Sequence, residues 1–319
     1  MDRAKDKQVK AMELDTIFPG NCLEYMKGLP ANSVHMICTD PPYFLDGLGS
    51  DWDTTELEAR GESRLVGNLP KGMKFDRSQS TKFRAFYSEV SAECFRVLKP
   101  GGAFLSFCSP RLYHAMATAM EDAGFEIRDM IGWIYTQSQA KAFSQDHIIA
   151  KDKTMTEAEK EALKAQLNGW KTPQLKPAIE PICLAVKPIE GRYIDNMRAH
   201  GVGLLNTAQT VADNRAPSNV VTSEPISGEY DSVFLVKKPT KAEKGDYNTH
   251  LSVKPVQLIE HLVRLFTQEG AIVLDPFMGS GTTAVACVHT KRHYLGCEVN
   301  RAYLDIINRR ITEAAQTSS

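Results

Sequence analysis

The sequence predicts a doubly wound α/β sheet with one inserted region. Three features carry that expectation: short apolar runs ending in a carboxylate, helical periodicity between the runs, and a glycine turn where one run gives way to a helix. The first run is Val34-His35-Met36-Ile37-Cys38-Thr39-Asp40, short and apolar enough for a strand buried on both faces. Residues 44–80 follow it with much Gly, Asp, Ser and Arg and little apolar period, which reads as a long loop next to Asp40. Helical spacing takes over at 81–98. The turn Lys99-Pro100-Gly101-Gly102 then leads into a strand over 102–107, and 110–123 is again helical.

Residues 137–250 break the alternation. They contain a charged helical piece at 154–168, a strand-like run from Pro181 to Val186 and a Ser/Asn/Pro/Gly-rich stretch at 212–230, and they read as an insertion or a small second domain. The alternation then resumes with a helix at 255–268, the strand Ala271-Ile272-Val273-Leu274-Asp275, a helix at 282–290, the strand His293-Tyr294-Leu295-Gly296-Cys297-Glu298, and a helix at 301–314. Ligands of such sheets bind at the carboxyl ends of the strands, where Asp40, Asp275 and Glu298 fall. The expected division is 1–136, 137–250 and 251–319.

Composition excludes some classes. At 319 residues and 42% hydrophobic the chain can build a substantial core, and its formal net charge of −1 speaks against a protein that coats nucleic acid with a broad basic surface. Seven cysteines show no C-x-x-C pair and sit in apolar stretches, so structural thiols are expected and a metal site is not. No apolar leader follows the charged start and no apolar run approaches eighteen residues, so a soluble protein without membrane association is expected.

Asp40-Pro41-Pro42-Tyr43 is the sharpest chemical signal. The amino group of a nucleobase is a poor nucleophile because its lone pair is delocalised into the ring. Two acceptors aimed at its two N–H bonds help to pyramidalise it. The Asp40 carboxylate supplies one and the Pro41 carbonyl a second. Pro41 and Pro42 bias the residues before them toward an extended path that presents acceptors outward. Tyr43 offers an aromatic face for a base rotated out of the duplex. A bland reading, a proline turn with Tyr43 on the core, competes with this one.

Asp275-Pro276-Phe277-Met278-Gly279-Ser280-Gly281-Thr282-Thr283-Ala284 is the second constellation. Gly279 and Gly281 permit a tight turn and close approach of backbone to a ligand, and a helix starting near Thr282 and Thr283 turns its N–H groups outward. Glu298 ends the next strand, where it can accept from ribose hydroxyls. The same spacing matches a dinucleotide fingerprint, so NAD competes. No hydride-transfer site accompanies it, and Asp40 to Tyr43 supplies an amine-activating site instead, which favours S-adenosylmethionine.

Together these motifs resemble the DNA amino-methyltransferases of the class in which the catalytic motif precedes the cofactor motif. The resemblance spans roughly 17–147 and 235–310. It implies a Rossmann-like methyltransferase sheet, S-adenosylmethionine as cofactor, adenine N6 as the favoured target, a target-recognition region within 137–250, and work in the cytoplasm of a bacterium or phage-infected cell. Duplex DNA is the implied partner, and a homodimer is the candidate assembly. Thr249-His250-Leu251-Ser252-Val253-Lys254-Pro255 looks like the family's lead-in to the cofactor site, with Lys254 expected on the cofactor carboxylate. Asn21 stands where the family usually has Asp. Trp170-Lys171-Thr172 through Lys176-Pro177-Ala178-Ile179-Glu180-Pro181 is similar to a segment of adenine methylases. Cytosine N4, RNA adenine or a glutamine amide would need the same acceptors, and a catalytically silent binding subunit is the alternative from another class. Residues 137–250 carry 15 Lys and Arg against 14 Asp and Glu, so charge does not mark them as a DNA groove. Arg192, Arg198, Arg215 and Lys237, Lys238, Lys241 and Lys244 are candidate base or phosphate contacts, with solvated surface charge as the competing reading.

Overall fold

A computed structural model describes residues 12–43, 78–135, 142–173, 175–208, 217–222, 234–250 and 252–317. Its elements in chain order are β1 (Thr16–Phe18), α1 (Cys22–Gly28), β2 (Val34–Thr39), α2 (Ser78–Val97), β3 (Leu98–Phe107), α3 (Tyr113–Asp122), β4 (Glu126–Ile134), α4 (Asp146–Lys151), α5 (Glu157–Gln166), β5 (Ile179–Val186), α6 (Tyr193–His200), β6 (Val220–Thr222), β7 (Phe234–Leu235), α7 (Lys241–Lys244), α8 (Val256–Phe266), β8 (Ile272–Asp275), α9 (Thr282–His289), β9 (His293–Cys297) and α10 (Arg301–Thr317). The doubly wound α/β expectation is borne out, and every strand and helix expected between 271 and 314 forms. The loop expected over 44–80 lies outside the described residues except for 78–80, which open α2.

The strands form one nine-stranded sheet in the order β1-β9-β8-β2-β3-β5-β4-β6-β7. All neighbours are parallel except the two pairs made by β5, which runs against both β3 and β4. Strand β5 arises inside 137–250, yet it fills a central place in the sheet. From β8 the chain winds through α9 to β9 on one side, and from β2 it winds through α2 to β3 on the other. The winding direction therefore reverses between β8 and β2, which pair at Met36↔Val273 and Ile37↔Leu274. Such a switch point opens a crevice beyond the carboxyl ends of its two strands.

Each sheet face carries its own core, because successive strand residues point to opposite faces. Ile37 of β2 packs with Met26 of α1, Phe83 and Tyr87 of α2 and Met116 of α3, and Val34 joins this core because the register shifts between Val34 and Met36. Met36 and Cys38 pack with Leu258 and Leu262 of α8, Ala286 of α9 and Ile307 of α10. All seven cysteines are buried and none is bonded to another. Among the described residues no helix is long and apolar enough to cross a membrane, and no cluster of His, Cys, Asp and Glu has the makings of a metal site.

Candidate active site

A cleft opens at the switch point, beyond the carboxyl ends of β2 and β8. Asp40 and Lys254 line one part of it; Asp275, Phe277, Gly279, Thr282 and Thr283 line the other. The two motifs, separated by more than two hundred residues of chain, thus meet in one crevice.

Asp40 directly follows β2. The Tyr43 hydroxyl donates to its Oδ1 and the Lys254 ammonium to its Oδ2. Lys254 also contacts Glu180 Oε1 at 3.1 Å, and its ammonium lies 5.1 Å from the centroid of the Phe107 ring. The expectation for Lys254 was a cofactor carboxylate; the structure places its ammonium between two carboxylates of the protein itself. Burial works against the Lys254 charge, but Asp40 and Glu180 outweigh it and hold the group above its ordinary pKa. Burial raises the Glu180 carboxyl, Lys254 opposes that rise, and Asp40 adds to it. Tyr43 is half-buried against the core, and its hydroxyl is pushed well above its ordinary pKa by burial and then by Asp40.

Asp275 is fully engaged within the protein. Its carboxylate accepts from the Thr39 and Thr283 hydroxyls, each at 2.6 Å, and from the Phe277 N–H at 3.0 Å. It therefore ties the end of β2 to the end of β8 and to the first turn of α9. Burial raises its pKa to about 6. Phe277, beside Pro276, packs its ring on Phe86. The turn beyond needs glycine at two places. Gly279 has φ +57°, with a would-be Cβ 3.0 Å from the His250 ring; Gly281 has φ +84° and presses on Ile307 of α10. His250 is neutral at pH 7, since burial lowers its pKa to about 4, and its ring meets Tyr303 edge-on.

Glu298 sits behind this turn and accepts from the Gly279 and Asn300 N–H groups, both at 2.8 Å. Burial outweighs those two bonds and lifts the carboxyl from an ordinary 4.5 to about 7. The folded chain thus binds this proton more tightly than the unfolded chain. The stability it contributes is present below about pH 4.5 and is lost as pH rises through about 7. Urea unfolding of Glu298→Gln over that window is expected to show a shallower fall of stability with pH than the native protein; an unchanged slope would exclude Glu298 as its source. Asn21 caps α1 by accepting from the Leu23 N–H at 2.8 Å. The pairing Phe18↔Cys297 brings it to the same sheet edge as Glu298.

Two residues of this region carried no expected role. Glu180 belonged to a quoted segment, but nothing in its local pattern marks a carboxylate that will face Asp40. Arg310 of α10 is 5% exposed and donates to the Ser280 carbonyl at 2.8 Å, the Ser280 hydroxyl at 3.0 Å and the Thr282 hydroxyl at 3.1 Å, pinning the glycine turn from behind. Of the basic candidates, Arg192 pairs with Asp195 at an exposed site, Lys238 covers the Tyr135 ring at 3.7 Å, and Arg215 lies outside the described residues.

The model of the DNA methylase family covering N6 and N4 amino-methyltransferases matches residues 34–309. Among similar curated proteins, the type II methyltransferase M.HindIII of Haemophilus influenzae is 28% identical over 93% of this chain and 95% of its own. The DNA adenine methyltransferase YhdJ of Escherichia coli is 26% identical over 96% and 86%. Among solved structures, the complex of M1.HpyAVI with S-adenosylmethionine has a TM-score of 0.52 at 20% identity, covering 93% of this chain and 98% of that one. The cytosine-N4-specific PvuII DNA methyltransferase has a TM-score of 0.55 at 15% identity, covering 96% and 93%. A match over most of the chain, on a sheet whose switch point unites the two expected motifs, means that the protein belongs to the DNA methylase family.

Proposed function

We propose that the protein transfers a methyl group from S-adenosylmethionine to the N6 amino group of adenine in duplex DNA. One observation supports this above the others: the Asp40 carboxylate, fixed by Tyr43 and Lys254, opens onto the same cleft as the Gly279 to Gly281 turn. When bound, S-adenosylmethionine supplies an electrophilic methyl on a sulfonium. The residues present fit it. Glu298 is a buried acceptor suited to ribose hydroxyls, Gly279 and Gly281 keep the turn free of side chains, and Thr282 and Thr283 begin a helix whose first N–H groups suit a carboxylate. Asn21 and Phe277 complete the candidate cofactor contacts, with Asp275 shaping the turn from within.

In the methyl-transfer step Asp40 accepts one N–H of the substrate amine and the Pro41 carbonyl the other, which frees the nitrogen lone pair. Pro42 holds that path extended, and Tyr43 offers its ring to the base while its hydroxyl steadies Asp40. Reading of the DNA sequence is assigned to the part of 137–250 outside β5, and a homodimer is the assembly tested by sedimentation. The relative YhdJ, by name a DNA adenine methyltransferase, supports both DNA as the substrate and adenine as the base. Mass analysis of nucleosides from DNA incubated with protein and cofactor is expected to find N6-methyladenine. N4-methylcytosine as the main product would refute the base assignment, and no modified base in DNA would refute the function.

A further inference from the structure

Methyl transfer moves a positive charge. The amine nitrogen donates its electron pair to the methyl carbon, the pair of the carbon–sulfur bond stays with sulfur, and the charge that began on the sulfonium arrives on the nitrogen, which then sheds a proton to water. A site facing the nitrogen speeds this step if it is negative. Asp40 alone would meet that need, but Asp40 is paired with Lys254, and a carboxylate paired with an ammonium is a neutral unit.

Glu180 changes the balance. Strand β5 runs antiparallel to its neighbours, so its first residues lie at the edge where the parallel strands end. Glu180, opposite Trp133 of β4, reaches Lys254 from there at 3.1 Å. The side chains of Asp40, Lys254 and Glu180 are 22%, 8% and 18% exposed, so solvent screens the array poorly. We propose that Glu180 is a positioning residue for methyl transfer: by pairing with the far side of Lys254 it holds the ammonium on Asp40 and leaves the Asp40–Lys254–Glu180 array with one net negative charge facing the substrate amine. This rests on the methyltransferase reading above. Other charged or titratable groups close to the array are Tyr43, Tyr135, Lys238, His250, Asp275, Cys38 and Cys108, the two thiols held neutral by burial. Lys238 acts on Glu180, and buried His250 stays neutral at pH 7.

A unit charge roughly 8 Å from a developing charge, the separation that follows from Lys254 standing between Glu180 and Asp40, at an effective dielectric near 20, changes a rate by about 10–100-fold. Glu180→Gln keeps the size and an acceptor for Lys254 but removes the charge. In single-turnover methylation of duplex DNA it is expected to be slower by about that factor, with S-adenosylmethionine and DNA affinities within about threefold of native. The double variant Glu180→Gln with Lys254→Met restores the single negative charge on Asp40 alone and is expected to be faster than Glu180→Gln. A purely structural role for Glu180 predicts the reverse. In the protein without ligands, the Lys254 ammonium resonance in a proton–nitrogen NMR spectrum at neutral pH is expected to shift or broaden in Glu180→Gln. A native single-turnover rate in Glu180→Gln, a double variant slower than the single one while still folded, or an unchanged Lys254 resonance would each overturn the proposal. A native protein that transfers no methyl to DNA would overturn the methyltransferase reading as well, whereas any of the other three results beside an active native protein would overturn the role of Glu180 alone.

Discussion

Asp40→Ala is expected to abolish methyl transfer, by at least about 10²–10⁴-fold, while the protein stays folded. The change removes the acceptor that activates the amine and the group on which both Tyr43 and Lys254 converge. Folding survives because the Asp40 side chain is 22% exposed, so no core void is left, and because Lys254 keeps Glu180 as a partner. Single-turnover rates, with circular dichroism and a urea midpoint as controls, check this. A folded variant within about tenfold of the native rate would sink the assignment of Asp40.

Gly281→Val is expected to have the largest combined effect on stability and cofactor binding. At φ +84° a branched side chain adopts a conformation that costs an L-residue roughly 1–2 kcal/mol. Its Cβ would also lie 3.3 Å from Ile307 Cα and 3.0 Å from Ile307 Cγ2, on a helix that cannot retreat without disturbing the core, which adds about 1–3 kcal/mol of overpacking. Relief by shifting the turn would pull Ser280 and Thr282 from Arg310 and misplace the start of α9. S-adenosylmethionine affinity by calorimetry is expected to fall beyond detection, with the urea midpoint lowered. Gly28→Ala is the control, since a Cβ there meets nothing within 4 Å and helix propensity predicts a small gain. Native-like cofactor binding in Gly281→Val would remove the turn from the site.

The sheet was legible where its signal is local. The apolar runs at 34–40, 271–275 and 293–298 end in carboxylates, and helical spacing between them fixes the winding. Strand pairing is not local. Pro181 to Val186 reads as a strand in the sequence, but nothing in an apolar run tells a central antiparallel partner from a strand of an insertion. The site followed the same division. Asp40 and the glycine turn declare themselves by residue type and spacing. The place of Lys254 between Asp40 and Glu180 depends on three elements meeting, and Arg310 in the sequence is one basic residue in a polar helix.

The switch point also governs when the protein can work during its synthesis. Thr39 and Asp275, joined by a 2.6 Å hydrogen bond, are 236 residues apart, and β1 waits for β9 before it gains its sheet partner. Contacts this distant in sequence close late, because the entropy of a long loop must be overcome before they form. A ribosome-bound chain that has already exposed Asp40 and Tyr43 would still lack Lys254, the glycine turn and Glu298. With β3 already paired on one side, the other side of its β2 would stay an open, apolar edge, so the nascent protein lacks a complete site until its last two strands emerge.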